Sequence, residues 1–340
     1  MRNFIEEVFV RPVPNFRLLL SFVLLFCFSF ALVSCGGGGG SSSSSGSLAY
    51  TGVDSHALIT EGNAAELASS ALSAGAVSST VSSPMLAVST AEPIVYILPN
   101  RLLILKSVMS TIEDLDVRNY QYTSIPNAVS SESETFNGDC GGYFVVSIKY
   151  EDTMGYFDGN IKFYDFCENG EEINGTVYFT GLLDMGSGNF INFTMNIEEL
   201  EENYYSESYV MSGTVEVDVI SDSTVEMEMN VLVKDSNLDR IFKLYEYVYT
   251  LEESYDEYAF QISGRFYHPD YGYVDLSTPV SFQVGLYDEY PYSGQLLLRG
   301  GDSTSALLTA HNTEECEISA DLNGDGSYEM TSGIISWMSL

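Results

Sequence analysis

The residues best suited to chemistry lie near the C-terminus. Asp321, Asn323, Asp325, Ser327 and Glu329 alternate with Leu322, Gly324, Gly326 and Tyr328. Oxygen-bearing side chains at every second position can converge on one hard cation, because Gly326 permits the tight turn that brings them together. The backbone carbonyl of Ser327 would add a further oxygen. Hard oxygen ligands of this kind suit Ca²⁺ and no soft metal. A second reading fits the same residues. Asn-Gly and Asp-Gly are strong hairpin turns, and Cys316–Ala320 and Tyr328–Trp337 read as the two flanking strands.

The run Asp321-x-Asn323-x-Asp325-Gly326 resembles the start of an EF-hand calcium loop. It departs from that pattern at its twelfth position, Ser332, and in having strands on both sides. Both the ion site and the bare hairpin therefore remain open. Other chemistry is thinly represented. The segment Tyr267-His268-Pro269-Asp270-Tyr271-Gly272-Tyr273 gathers rings around a His and an Asp. It reads as a ring-stacking surface for sugar or a partner, or as an ordinary loop between strands. The acidic runs at 198–202 and 252–257 read as solvated loops. No nucleophile–base spacing, phosphate loop or nucleotide signature is present, and no Cys pair has zinc-ligand spacing. The expectation is a non-enzymatic protein, with an envelope hydrolase as a lesser alternative.

Composition narrows the partners. The 340 residues hold 13 Lys+Arg against 48 Asp+Glu, a net charge of −35. Binding to nucleic acid through a basic surface is excluded, since phosphates need cationic partners. At 45% apolar residues the chain can bury a sizeable core.

Residues 1–34 read as a secretory signal. Arg11 and Arg17 precede the apolar run Leu18–Val33. The run closes in Leu32-Val33-Ser34-Cys35, which resembles the lipobox of bacterial lipoproteins. That resemblance implies cleavage before Cys35, acylation of its thiol and of the new amino terminus, and anchoring in the cell envelope. Gly36 follows the Cys, and by the same resemblance the lack of Asp there favours the outer membrane. Three arginines and two glutamates leave with the signal, which moves the net charge from −35 to −36. Anionic headgroups do not attract such a chain, so the acyl groups must hold it.

Beyond Cys35 the order is clear in outline. Residues 35–47 form a Gly/Ser tether. Residues 48–93 are Ala/Ser-rich, partly disordered or weakly helical, with Thr60 placed to cap a helix over Glu61–Ala74. Residues 94–340 read as a single β-rich domain led by an apolar helix at 97–115. From residue 140 the period becomes two, as in Ile191–Ile197, Val225–Val233 and Tyr258–Phe266, which predicts roughly a dozen short antiparallel strands. A phrase of Gly followed by two alternate apolar residues begins at Gly159, Gly175, Gly213 and Gly294. Glycines on the apolar face let strands bend. The predicted fold is mainly β: a large curved antiparallel sheet, or an open or half barrel, packed on one apolar helix. It is similar at fold level to the half-barrel of bacterial lipoprotein carriers. A transmembrane barrel also alternates, but these strands read as short and irregularly turned.

Two further expectations follow. Cys140 opens one strand and Cys167 closes the next, with the turn near Met154 midway, so the two face each other and should form a disulfide in an oxidising compartment. Cys316 reads as a buried thiol. Phe193, Met195, Met227 and Met229 would line a cavity between sheet and helix that takes an apolar ligand, since Met-rich strands suit an adaptable pocket. The rival is a docking or adhesion module whose acidic surface meets a basic envelope protein.

Overall fold

The structure is a computed structural model. It describes residues 48–82, 129–151, 154–168, 170–184, 190–204, 207–221, 223–286, 288 and 290–340. The segments expected as signal (1–34), lipidated Cys35 and tether (35–47), and the helix expected at 97–115, lie outside the described residues.

One antiparallel sheet of fourteen strands dominates the fold. They are β1 (Val129–Asn137), β2 (Gly141–Glu151), β3 (Tyr156–Glu168), β4 (Glu171–Leu183), β5 (Phe190–Tyr204), β6 (Glu207–Ser221), β7 (Thr224–Asp235), β8 (Arg240–Glu253), β9 (Glu257–His268), β10 (Gly272–Gly285), β11 (Ser293–Arg299), β12 (Ser305–Asn312), β13 (Glu315–Asp321) and β14 (Met330–Ser336). Each strand pairs with its neighbour in sequence, and the order runs from β1 to β14 without closing. Many strands are longer than expected, reaching 15 residues in β5 and β6. Their alternation holds throughout. Val215 and Val217 are buried while the Glu216 and Asp218 beside them point to the other face. That polarity, apolar inside and charged outside, is the reverse of a membrane barrel.

The single described helix, α1 (Ala64–Ser82), is the weak one of the sequence reading. Thr60 N–H donates to Asn63 Oδ1 at 2.8 Å, and Ala64 N–H donates to the Thr60 carbonyl. These bonds satisfy donors that a helix start leaves open. Ala64, Leu67, Ala68, Ala71 and Leu72 recur at helical spacing and are buried in the same core as the strands. α1 touches β7, β8 and β9 on one flank and β11, β12 and β13 on the other, so the sheet bends around it. The Tyr247 hydroxyl donates to the Ala71 carbonyl at 2.9 Å and pins the helix in the curl. Burial holds that phenol well above its usual pKa.

The bend has a repeated local cause. β3, β5 and β8 each carry a residue with positive φ, respectively Asp165, Glu199 and Glu246, at a register shift. A glycine on the adjacent strand faces each of these, Gly142 of β2 lying against the Asp165 carbonyl. A Cβ on Gly175 would lie 2.2 Å from the Glu199 carbonyl oxygen, and one on Gly264 would lie 1.9 Å from that of Glu246. Asparagine side chains complete the device. Asn174 Oδ1 accepts from Asp165 N–H at 2.7 Å, and Asn230 Oδ1 accepts from Glu246 N–H at 2.9 Å. The bulged N–H, lost to the ladder, thus finds a partner.

Candidate functional site

The 321–329 loop joins β13 to β14 and is tied by its own side chains. Asp321, only 4% exposed, accepts from three backbone N–H groups: Asn323 at 3.3 Å and Gly324 at 2.7 Å on Oδ1, and Gly326 at 2.8 Å on Oδ2. Asn323 Oδ1 accepts from Asp325 N–H, and Asp325 Oδ1 accepts from Ser327 N–H. Glu329 returns to the start of the loop, accepting from Leu322 N–H and from Asn323 Nδ2, both at 2.8 Å. Carboxylate oxygens of Asp321, Asp325 and Glu329 lie within 4.8 Å of one another. The loop therefore brings together four of the five residues expected as ligands. Ser327, the fifth, is exposed beside them.

Donors aimed at Asp325, led by the backbone N–H of Ser327, hold its carboxyl below the usual range. An oxygen-only set that includes three carboxylates fits a hard cation. The same hydrogen bonds fold the loop without an ion, so the geometry accommodates the bare hairpin as well. Beside the loop lies an open cleft of about 460 Å³, lined by Arg299, Ser303, Thr304, Ser305, Asp321 and Tyr328 among others.

The 267–273 segment makes the tight β9–β10 turn, and alternation splits it between two faces. His268, buried, faces the helix. Its Nε2 lies 3.3 Å from Glu66 Oε1 of α1, and its Nδ1 accepts from Asp270 N–H. The Tyr271 hydroxyl donates to Glu66 Oε2 at 2.6 Å and is the main cause that lowers the pKa of Glu66. Arg240 bridges Glu66 and Asp270. Burial lowers the His268 pKa, against the pull of Glu66. This half of the cluster locks the first turn of α1 to the strand ends. Tyr267 and Tyr273 face the other way, toward the outer side of the sheet, where Tyr50 buries the first and His56 packs on the second.

Cys140 and Cys167 form the expected disulfide, with Cα atoms 5.1 Å apart. Cys316 is a free buried thiol, and desolvation pushes its pKa up to about 11. Phe193, Met195, Met227 and Met229 occupy two neighbouring cross-strand rows of the inner face. Phe179, Met195, Val215, Met229 and Tyr247 form one row; Phe193, Val217, Met227 and Tyr249 form the other. All four candidates are at most 1% exposed and belong to the continuous core. Among the described residues no helix is long and apolar enough to cross a membrane. No protein-family model, curated protein or solved structure matches the chain.

Proposed function

We propose that the chain is a lipid-anchored, non-enzymatic protein of the cell envelope, held at the outer membrane through Cys35. Its folded domain stands off the bilayer on the 35–47 tether and binds rather than transforms. One observation carries this reading: Leu32-Val33-Ser34-Cys35 closes an apolar run and is followed at once by a polar tether. The Cys140–Cys167 disulfide supports export, because such bonds persist in oxidising compartments. Cys35→Ala should abolish labelling by palmitate and release the protein from the membrane fraction. Unchanged fractionation with retained label would overturn the anchor.

The 321–329 loop is proposed as a Ca²⁺ site that stiffens the β13–β14 end. Asp321, Asn323, Asp325 and Glu329 would hold the ion with their side chains, and Ser327 with its carbonyl. The ion would supply positive charge among carboxylates that otherwise repel. A native mass spectrum of the full chain should gain the mass of one Ca²⁺, lost with chelator and absent in Asp321→Asn. The same spectrum tests the sharper form of the binding reading, an apolar ligand held against Phe193, Met195, Met227 and Met229. A lipid-sized added mass supports that ligand, and a bare protein mass removes it.

One observation favours the second reading, an acidic docking face. Glu216 stands opposite Glu228, and Asp218 opposite Glu226, across β6 and β7 on the outer surface. Like charges directly opposed weaken a sheet, and a basic partner would relieve them.

A further inference from the structure

On a chain with a net charge of −35, three described cations, Lys162, Lys243 and Arg299, have no carboxylate within salt-bridge reach among the described residues, and two of these share one part of the outer face. The described residues hold seven lysines and arginines, and three of them, Lys243, Arg265 and Arg299, lie on the outer face of β8, β9 and β11. Register brings them together. Lys243 pairs with Tyr267, and Tyr267 with Tyr273. In the adjacent row Tyr245 pairs with Arg265, Asp275 with Arg299, Arg299 with Ser305, and Ser305 with Asp321. The second row therefore runs across the sheet from β8 to the 321–329 loop. Five strand spacings make this about 24 Å.

The charges along this band are unequally matched. Arg265 is neutralised by Asp275, 2.9 Å from its Nε, and Asp275 also faces His56 at 2.9 Å. Arg299 is exposed; its guanidinium donates to Ser277 Oγ and has no carboxylate within salt-bridge reach among the described residues. Lys243 has none either; its ammonium lies over the Tyr267 ring at 4.3 Å and near that of Tyr245 at 5.4 Å. Two half-open rings mark the ends of the band: Tyr245 at 40% exposure and Tyr328, beside the loop, at 47%. Between them lies the cleft with the Ser303 and Ser305 side chains and Arg299 on its wall.

The geometry points to a binding surface for an acidic saccharide, a sugar chain carrying carboxylates, laid across the outer face from Tyr245 to Tyr328. Each part answers to one feature of such a ligand. Exposed tyrosine rings stack on the apolar faces of sugar rings. The unmatched Lys243 and Arg299 take carboxylates, Arg299 with the planar fork that fits them. The cleft hydroxyls exchange hydrogen bonds with sugar hydroxyls. A long, rigid row of strands suits an extended chain. Neither the anchor nor an ion in the loop enters the argument, so this inference stands or falls apart from the proposed function.

The test is calorimetric titration of the full chain, in zwitterionic detergent with EDTA, by hexagalacturonate and by neutral cellohexaose. Chelator removes calcium bridging between protein and sugar carboxylates. The uronate should bind and the neutral hexamer should not. Arg299→Gln and Lys243→Gln should each weaken binding about tenfold, the range of one charge-assisted contact. Lys162→Gln, on β3 outside the band, should leave it unchanged. Absence of uronate binding, equal binding of the neutral sugar, or affinity untouched by Arg299→Gln and Lys243→Gln would each overturn the inference. An equal loss from Lys162→Gln would do so too.

Discussion

Gly264→Ala should destabilise the domain by roughly 3–4 kcal/mol, among the larger effects a single methyl can have. Gly264 sits at φ 105°, where an L side chain is strained. The added Cβ would lie 1.9 Å from the Glu246 oxygen, 2.6 Å from its carbonyl carbon and 2.7 Å from Tyr247 Cα. All three are backbone atoms, so no side chain can swing away. The opposing strand is equally fixed. Glu246 has φ 47°, and its N–H is held by Asn230. Directly after it comes Tyr247, fully buried and bonded to the Ala71 carbonyl. Pushing Glu246 outward therefore disturbs the anchorage of α1. Gly170→Ala is the control: φ is +84° there too, but nothing lies within 4 Å of the added Cβ. That change should cost only about 1–2 kcal/mol, the backbone term alone. Urea midpoints compare the two, and equal losses would refute the steric account.

Replacing both Cys140 and Cys167 by serine should cost about 3.5 kcal/mol. The bridged cysteines are 27 residues apart, and opening a loop of that length returns about this much chain entropy to the unfolded state. The native hairpin would keep its register, since Cys140 N–H still donates to the Cys167 carbonyl at 3.2 Å. Reductant should lower the urea midpoint of the wild type to that of the double variant and leave the variant unmoved. A wild type indifferent to reductant would contradict the prediction. Cys316 will not scramble the pair: it is buried, and its thiol pKa of about 11 leaves little thiolate at neutral pH.

The parts of this molecule that local sequence encodes were legible. The disulfide was, because two cysteines flanking one hairpin are placed by its turn. The strands were, because Val225 to Val233 can bury alternate side chains in only one way. Of the bend glycines, Gly175 was visible in the phrase and Gly264 was not, and the partners of neither were. That Gly264 faces Glu246, or that Asn230 serves the bulge at Glu246, depends on pairing between strands. The helix was understated. Ala64, Leu67, Ala68, Ala71 and Leu72 have the right spacing, but alanine contributes little apolar contrast; it serves here by letting the helix approach the sheet closely. The Leu- and Ile-rich run at 97–115 carries the stronger apolar contrast. In the candidate loop the alternation of oxygens was plain, while the return of Glu329 to Leu322 and Asn323 was not. The outer band was hidden altogether. Lys243, Arg265 and Arg299 are 22 and 34 residues apart in sequence, and only the register, bulges included, sets them side by side.

The nearest-neighbour order of the sheet bears on how the chain acquires its structure. Every strand finds its partner within a few residues of a turn, so the sheet can grow by successive addition, as in a linear repeat array. The helix cannot join in that way. It precedes all fourteen strands, yet its contacts are with β7 to β9 and β11 to β13. The bond from Tyr247 to Ala71 spans 176 residues. A chain released from its N-terminus thus presents first the element that must dock late, and Leu67 and Leu72 stay wet until the far strands exist. Assembly then divides into a fast local phase and one slow, long-range closure, with loop entropy setting the second.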